Sequence, residues 1–246
     1  MHEDPPQFGT ASRAPAGAAV APWWHTALLV ALLTGGSLLS ARQAHRGTMG
    51  SHHLARYGLG IGSELILLAL AWWGLWMRRV PIAAVLRFRA GWRAWMSDVA
   101  AAGVFWIAAA AILVVIGVLL RLAHFSAPQK AIMALAPRTG REMLLWIALS
   151  VTAGFCEEFV FRGYFLLQFS SLPAGVWLGV LGSSLLFGIS HGYEGAAGMI
   201  AITAYGALFC VLALLRRTLR PGMIAHAWHD IFTGVVLALL RHVHPL

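Results

Sequence analysis

Charged residues are scarce in this chain of 246 amino acids, at 11% of the total, whereas hydrophobic residues make up 59%. Ordinary soluble domains carry about 25% charged residues, so the composition excludes a soluble globular protein and indicates a polytopic membrane protein. Nucleic-acid-binding proteins concentrate basic residues on one polar face. Here the arginines lie in short runs between apolar segments, as in loops at a lipid surface, so no nucleic-acid partner is expected.

Cysteine is nearly absent as well. The two cysteines, Cys156 and Cys210, lie in apolar segments and form neither a disulfide framework nor a cysteine-type metal motif. Residues 1–22 lack a basic stretch beside a short apolar run, so no cleaved signal peptide is predicted. Their alanine, glycine and proline content predicts a disordered tail ahead of a single membrane domain at 23–246.

Long apolar runs are what the chain has instead. A membrane-spanning helix needs about 20 predominantly apolar residues. Seven runs meet this length, at about 23–41, 59–77, 99–121, 143–170, 174–191, 195–215 and 222–241. The predicted fold class is therefore all-α, a polytopic transmembrane bundle of seven spans, or eight if the fourth run breaks in two. As one helix that run would be about 42 Å long, so it must tilt, kink near Gly163 or protrude.

Arginine and tryptophan mark a segment between the second and third runs. Residues 78–93 hold five arginines, interleaved with Trp92 and Trp95. This pattern predicts either a basic amphipathic segment at the membrane interface or a loop that anchors neighbouring helix ends. With the N-terminus inside, the inner loops hold nine basic residues and the outer side eight, so the positive-inside rule barely favours a cytoplasmic N-terminus.

Ionisable residues interrupt the fourth apolar run, which contains the sequence E-E-F-V-F-R at 157–162. A charged residue at the centre of a membrane costs about 2.5–3.5 kcal/mol, so such a cluster indicates a functional site. Residues four apart share one face of a helix, so Glu158 and Arg162 are placed to pair. Glu157 is left without a partner in its own helix and is the candidate general base. The alternative is a purely structural ion cluster that locks helices together.

A histidine ends the fifth run. His191 follows an apolar stretch and lies between Gly188 and Gly192. Small residues permit close helix approach, so a buried, functional histidine is one interpretation. The alternative is a histidine at the membrane interface.

The last apolar run carries three polar residues close together. It begins near Pro221 and contains His226, His229 and Asp230. His226 and Asp230 are four apart and share a helix face, and His229 lies within reach of the same side. The alternative is a helix that starts in the headgroup region.

The polar side chains of the C-terminal half fall on three predicted helices: Glu157, Glu158, Arg162, His191, His226, His229 and Asp230. They suggest two chemistries. In one, a carboxylate and an imidazole activate a water while the remaining groups stabilise or orient the oxyanion. In the other, histidines and a carboxylate hold a zinc ion. The sequences H-E-x-x-H and G-x-S-x-G are absent, so neither a zincin nor a serine hydrolase is predicted.

The order of three motifs resembles the CPBP family of intramembrane endopeptidases (CAAX protease and bacteriocin-processing, or Abi). The motifs are Glu157-Glu158-x-x-x-Arg162, Phe187-x-x-x-His191 and His226-x-x-x-Asp230. The resemblance covers about residues 140–241. It implies an all-helical membrane protease similar to the type II CAAX prenyl endopeptidases.

The resemblance also implies roles for the motif residues. Glu157 and His191 would activate the water, and His226 with Asp230 would stabilise the oxyanion. Glu158 and Arg162 would support the site, and His229, outside the motifs, would support it at most. The family often has Asn at the position of Asp230. A carboxylate cannot donate a hydrogen bond, so Asp230 must be protonated, orient His226 or help to bind a metal.

No cofactor is required in the favoured interpretation. If a divalent metal such as zinc is bound, its ligands would be Glu157, His191, His226 and Asp230. The resemblance implies a membrane-associated peptide or protein substrate, prenylated or bacteriocin-like, and a multi-pass protein of the bacterial cytoplasmic membrane. The alternatives are a non-catalytic immunity or scaffold protein and a proton-coupled transporter. The sequence lacks the paired broken helices in two matching halves that favour a transporter.

Overall fold

The structure, a computed structural model, describes residues 17–47, 52–125 and 132–243. Residues 1–16 of the predicted tail lie outside this part of the chain. The regular elements of the described ranges are all helical. In chain order they are α1 (Trp23–His45), α2 (His53–Met77), α3 (Ile82–Leu86), α4 (Trp92–Leu122), α5 (Gly140–Glu157), a π-helical segment (Glu158–Phe165), α6 (Leu166–Phe169), α7 (Val176–Ser190), a 3₁₀ turn (Gly192–Glu194), α8 (Gly195–Arg216) and α9 (Arg220–Val243).

The apolar helices agree with the predicted spans. Within the described ranges, six helices are long and apolar enough to cross a membrane by length and composition. The helix α7 is a seventh, shorter apolar helix of 15 residues. The all-α polytopic bundle is therefore confirmed. One continuous helical stretch, Gly140–Phe169, covers the fourth run, so the eight-span alternative does not arise.

The long helix of the fourth run departs from α-helical geometry in its second half. It starts at Gly140, and the side chain of the preceding Thr139 accepts a hydrogen bond from the backbone N–H of Glu142 and so caps the first turn. The π-helical segment 158–165 is buried throughout. It contains Gly163, against which Val85 of α3 packs so closely that a Cβ would lie 2.6 Å from Val85 Cγ1. Such π-helical turns occur frequently at functional sites.

Helix α9 approaches α5 closely because Gly154 has no side chain. A Cβ at Gly154 would lie 2.8 Å from Ala227 N and 2.9 Å from Met223 O. Glu157 follows Gly154 by three residues on α5. On α9, His226 lies between the two contacted residues, Met223 and Ala227. The close approach therefore brings the acidic pair to His226.

The predicted close approach around Gly188 and Gly192 is confirmed. A Cβ at Gly188 would meet Thr203 Oγ1 and lie 2.5 Å from Met199 O, both on α8. Gly192 lies against Ser37 of α1, and its backbone N–H donates to Ser37 Oγ at 3.2 Å. The end of α7, which carries His191, is thus held between α1 and α8.

The basic segment 78–93 anchors neighbouring helix ends. Asp98, near the start of α4, is fully buried and lies 2.5 Å from Arg89, 3.0 Å from Arg216 and 3.3 Å from Arg220. Leu86 O accepts a hydrogen bond from Leu219 N just before α9. The structure therefore favours the anchoring loop over a free amphipathic segment.

The last residues of the predicted tail pack onto the bundle. Ala21 N donates to Gln168 Oε1 at 2.9 Å, and Gln168 Nε2 donates to Ala21 O at 3.0 Å. Val20, Ala21 and Gln168 are buried. Packing therefore begins a few residues ahead of Trp23 and holds the start of α1 against α6.

We expect Gly154→Val to destabilise the protein, because the added side chain would collide with the backbone of α9. Overpacking of this kind costs about 1–3 kcal/mol, occasionally more. The melting temperature of the detergent-solubilised protein measures the effect. Gly117→Val is the matched control, since a Cβ at Gly117 in α4 meets nothing within 4 Å. Equal melting temperatures for the two variants would contradict the close contact.

Candidate active site

The guanidinium of Arg162 lies at the centre of a buried polar cluster. Its Nη1 is 2.9 Å from Glu158 Oε1, and its Nη2 donates to Gly206 O of α8 at 3.1 Å. The guanidinium carbon lies 4.3 Å from the ring centre of Phe187 and 4.9 Å from that of Phe209. The predicted pairing of Glu158 with Arg162 is confirmed. Arg162 thereby joins the π-helical segment to α7, through Phe187, and to α8, through Gly206.

The carboxylate of Glu158 has two cationic or polar partners. Its Oε1 lies 2.9 Å from Arg162 Nη1 and 3.2 Å from His226 Nδ1, and its side chain is 1% exposed. The other oxygen lies against the backbone of α9, where a Cβ at Gly222 would be only 2.7 Å from it. A buried carboxylate persists in a protein when it is paired in this way. Glu158 thus connects Arg162 to His226.

His226 is surrounded by carboxylates. Its Nδ1 faces Glu158, while its Nε2 lies 3.5 Å from Glu157 Oε2 and 3.7 Å from Asp230 Oδ2. The ring stacks on Phe209 at a centroid distance of 5.2 Å. Both ring nitrogens face acceptors, so both N–H groups of the protonated ring would be satisfied. The predicted shared face of His226 and Asp230 is confirmed.

Glu157 and Asp230 are the more accessible members of the cluster. Their side chains are 15% and 30% exposed, whereas that of Glu158 is 1% exposed. The backbone of Asp230 is fixed, because its carbonyl accepts a hydrogen bond from Trp146 Nε1 of α5 at 2.8 Å. A water or a substrate can therefore reach Glu157 and Asp230 more readily than Glu158.

His191 lies at the C-terminal end of α7, and its ring is held by the helix. Its Nδ1 is 2.8 Å from Phe187 O. A carbonyl oxygen only accepts, so Nδ1 carries the hydrogen and Nε2 of the neutral ring keeps its lone pair. Within the described part of the chain no hydrogen bond or ion pair joins His191 to Glu157. The Phe187 ring links the two sides, at 5.0 Å from the His191 ring and 5.8 Å from the His226 ring.

His229 lies apart from the acidic pair. Its ring packs 4.9 Å from the ring of Tyr205 on α8. This position agrees with a supporting role at most and does not place His229 among the groups that face Glu157.

The sequence analysis did not identify Glu64 of α2 as part of this site. Glu64 Oε2 and Glu157 Oε2 are both buried without a hydrogen-bond partner in the described part of the chain, and the Glu64 carboxyl interacts electrostatically with Glu157 and Asp230. The signal was present, since Glu64 is the one ionisable residue of the apolar run 59–77. An isolated acidic residue inside a membrane helix indicates a functional position.

Of the four residues named as zinc ligands, Glu157 and Asp230 lie near His226 Nε2, whereas no hydrogen bond or ion pair joins His191 to Glu157 within the described residues. Among the described residues, no three His, Cys, Asp or Glu side chains are grouped so that they could hold a metal ion. His191 is bonded through Nδ1 to its own helix, and His226 Nδ1 is engaged by Glu158. The arrangement as it stands does not fit a bound metal.

Glutamine at 158 and glutamine at 157 should have different effects on stability. We expect Glu158→Gln to cost about 3–5 kcal/mol, because it leaves the buried Arg162 guanidinium without its carboxylate. Glu157→Gln, one residue away, should leave the melting temperature nearly unchanged, since in the described part of the chain Glu157 shows no ion pair with a guanidinium. Thermal unfolding of the two variants in the same detergent measures this difference. Equal losses would contradict the separate functions of the two carboxylates.

The comparison with known families agrees with this geometry. Residues 139–232 match the family described as type II CAAX prenyl endopeptidase Rce1-like. The matched segment runs from the N-cap of α5 to just past Asp230 and contains every predicted site residue. No curated protein and no solved structure matches the chain. The resemblance of the three motifs is confirmed: residues 139–232 of this integral, multi-pass membrane protein match the Rce1-like type II CAAX prenyl endopeptidase family.

Proposed function

We propose that the protein is an intramembrane endopeptidase in which Glu157 and His191 activate a water that hydrolyses a peptide bond. The observation that carries the proposal is the contrast between two adjacent carboxylates. Glu158 is 1% exposed and paired with Arg162, whereas Glu157 is 15% exposed and shows no ion pair with a guanidinium among the described residues. The ion pair of Glu158 stabilises the fold, whereas Glu157 is available to act as a general base. The family match supports the general activity, that of a CAAX-type membrane endopeptidase.

The reaction begins with a water held between Glu157 and His191. The His191 Nε2 lone pair accepts one hydrogen of the water, while Glu157 removes the other as general base. The water oxygen attacks the carbonyl carbon of the scissile bond, and the carbonyl electron pair moves to the oxygen. When the intermediate collapses, the C–N bond breaks and Glu157 returns the proton to the leaving amine.

His226 is the group that would stabilise the oxyanion. Its Nδ1–H is held by Glu158, and its Nε2–H is directed toward the more accessible side of the cluster. A preorganised donor at the developing negative charge is among the largest contributions to acyl-transfer catalysis. Oriented by Glu158, His226 would donate from Nε2 to the oxyanion.

Asp230 replaces the amide that is frequent in the family. An ionised carboxylate would repel an oxyanion. Its Oδ2 lies 3.7 Å from His226 Nε2, which supports the second of the three expectations, that Asp230 orients His226. We therefore assign Asp230 to the positioning of His226 and not to direct contact with the oxyanion.

The substrate class follows from the location of the site. The catalytic groups lie on membrane helices, so the substrate is a membrane-associated peptide or protein. A prenylated CAAX terminus and a bacteriocin-like peptide are both of this kind. The bacterial cytoplasmic membrane is the proposed location.

We expect Glu157→Ala and His191→Ala to abolish cleavage. The probe is a farnesylated CAAX peptide that carries a fluorophore and a quencher, incubated with the purified protein in detergent. General acid–base catalysis contributes about 10²–10⁴-fold, so the loss should be at least about 10²-fold at an unchanged melting temperature. Thr152→Ala, whose hydroxyl donates to Ala148 O on the same helix, is the control. Normal turnover by Glu157→Ala would exclude Glu157 as the base, whereas a wild-type protein that cleaves no probe would favour a non-catalytic scaffold protein.

A chelator should not affect cleavage. We expect the rate to be the same before and after treatment with EDTA, because Glu157 supplies the base and the described residues form no group of three metal ligands. Elemental analysis of the purified protein, run in parallel, should find less than one zinc ion per chain. Activity that is lost with EDTA and restored by zinc would contradict the metal-free reaction.

A further inference from the structure

A small cavity lies between the ends of α3 and α8, and the reaction described above does not use it. Its volume is about 210 Å³. Three arginines from separate elements line it: Arg87 directly after α3, Arg162 of the π-helical segment and Arg217 directly after α8. Three guanidinium groups around one cavity indicate an anionic ligand, because arginine binds phosphate and carboxylate groups through paired N–H donors.

The two helix ends that carry Arg87 and Arg217 are joined to each other. Leu86 O accepts hydrogen bonds from Leu219 N at 3.2 Å and from Thr218 Oγ1 at 3.3 Å. Arg87 and Arg217 adjoin these bonds, and both are exposed. The bonds therefore keep the two arginines on the same cavity while their side chains stay accessible to a ligand.

The charges of Arg87 and Arg217 are unbalanced within the part of the chain that the structure describes. Arg87 Nε donates to Ala84 O at 3.0 Å, and no carboxylate of the described ranges forms an ion pair with Arg87 or Arg217. Asp98, at the same end of the bundle, is already shared by three other arginines. A ligand with a negative charge would supply the missing balance.

Arg162 is the buried arginine of the cavity, at 2% exposure. Its Nη1 is engaged by Glu158 and its Nη2 by Gly206 O. Its Nε is buried without a hydrogen-bond partner in the described ranges. A buried donor without an acceptor is destabilising, and an anion in the cavity would bring acceptor oxygens to the same side chain.

Most of the remaining lining is apolar and continues onto the outer surface of α8. Leu166, Leu167 and Leu214 line the cavity. Leu214 is 42% exposed, and the exposed Val211 and Leu215 extend its apolar face along the same helix. A ligand with a hydrocarbon chain could therefore leave the cavity along this face.

Exposed tryptophans indicate that the cavity lies at the level of the lipid headgroups. Trp76 near the end of α2 and Trp92 at the start of α4 lie at the same end of the bundle. Tryptophan is enriched at the membrane interface, and basic pockets between membrane helices bind lipid headgroups. The cavity is smaller than the roughly 300–1,000 Å³ that encloses a drug-sized ligand, so it would hold a headgroup while the acyl chains remain outside.

We propose that this cavity binds the phosphate headgroup of an anionic phospholipid. Arg87 and Arg217 contact the phosphate oxygens, Arg162 supplies the buried positive charge, and an acyl chain lies along the exposed face of α8. A zwitterionic headgroup would bring its own cation toward unbalanced arginines, so an anionic headgroup is preferred. The proposal does not depend on the proposed peptidase reaction.

Native mass spectrometry of the purified full chain in detergent tests the site. The probes are dioleoylphosphatidylglycerol, which is anionic, and dioleoylphosphatidylcholine, which has the same chains on a zwitterionic headgroup. The wild type should retain the anionic lipid preferentially. Each arginine near a lipid surface contributes a factor of about five, so the cavity variant Arg87→Asn/Arg217→Asn should bind this lipid about 25-fold more weakly.

The matched control removes the same charge outside the cavity. Arg78→Asn/Arg93→Asn replaces two exposed arginines at the same end of the bundle that do not line the cavity, and it should bind the lipid as the wild type does. Asparagine is chosen because it tolerates positive φ angles, which are 51° at Arg87 and 53° at Arg217. The cavity variant should therefore keep both helix ends.

Thermal unfolding in detergent gives a second readout and distinguishes a lipid from a free anion. A ligand of the folded state raises Tm. Phosphatidylglycerol should raise the Tm of the wild type and the control but not that of the cavity variant, whereas inorganic phosphate at the same concentration should have no effect. Neither readout involves cleavage, so a wild type that cleaves no peptide would count against the proposed function alone.

Three results would overturn the lipid site. Equal affinities of the wild type and the cavity variant, or equal losses in the two double variants, would show that the cavity is not where the lipid binds. Equal binding of the two lipids by the wild type would show that the charge of the headgroup is not recognised. A Tm raised as much by inorganic phosphate as by phosphatidylglycerol would assign the cavity to a free anion.

Discussion

The buried charge of Arg162 is the constraint on which the rest of the site depends. A guanidinium with no exposure to solvent must find its partners inside the bundle, because an unpaired charge in a membrane is costly. Its partners come from separate elements: Glu158 on its own helix, Gly206 O on α8, and the Phe187 ring on α7. The convergence of these helices at one point follows from the need to satisfy Arg162.

The pairing of Arg162 also separates the functions of the acidic pair. Because Glu158 is engaged by Arg162, its remaining contact goes to His226 Nδ1, and this contact fixes the orientation of the imidazole. The other ring nitrogen then faces Glu157 and Asp230. A structural ion pair thus determines which carboxylate is accessible and which edge of His226 points toward it. The structural and catalytic interpretations of the acidic pair are compatible, one for each carboxylate.

Contacts within one helix could be predicted from the sequence, whereas contacts between helices could not. The i, i+4 spacing alone predicts the pairs Glu158–Arg162 and His226–Asp230. The approach of Glu157 to His226 depends on how α9 packs at Gly154, and the electrostatic interaction of Glu64 with Glu157 depends on how α2 packs along the fourth run. The apolar runs predicted starts near 59 and 99, but α2 and α4 begin earlier, at His53 and Trp92. Hydropathy does not detect the polar first turns of these helices. Nothing in the sequence indicated the π-helical geometry of 158–165.

Carboxyl groups outnumber cations at the site, so the charges of Glu64 and Asp230 affect one another. Arg162 balances Glu158, and a protonated His226 balances one of the two remaining carboxylates that face it, Glu157 or Asp230. An amide at 230 would add no charge, whereas Asp230 adds a carboxyl near Glu64. Like charges at close range cannot all be ionised. A hydrogen on one of these carboxyls would relieve the repulsion, whereas the proposed reaction requires an ionised Glu157.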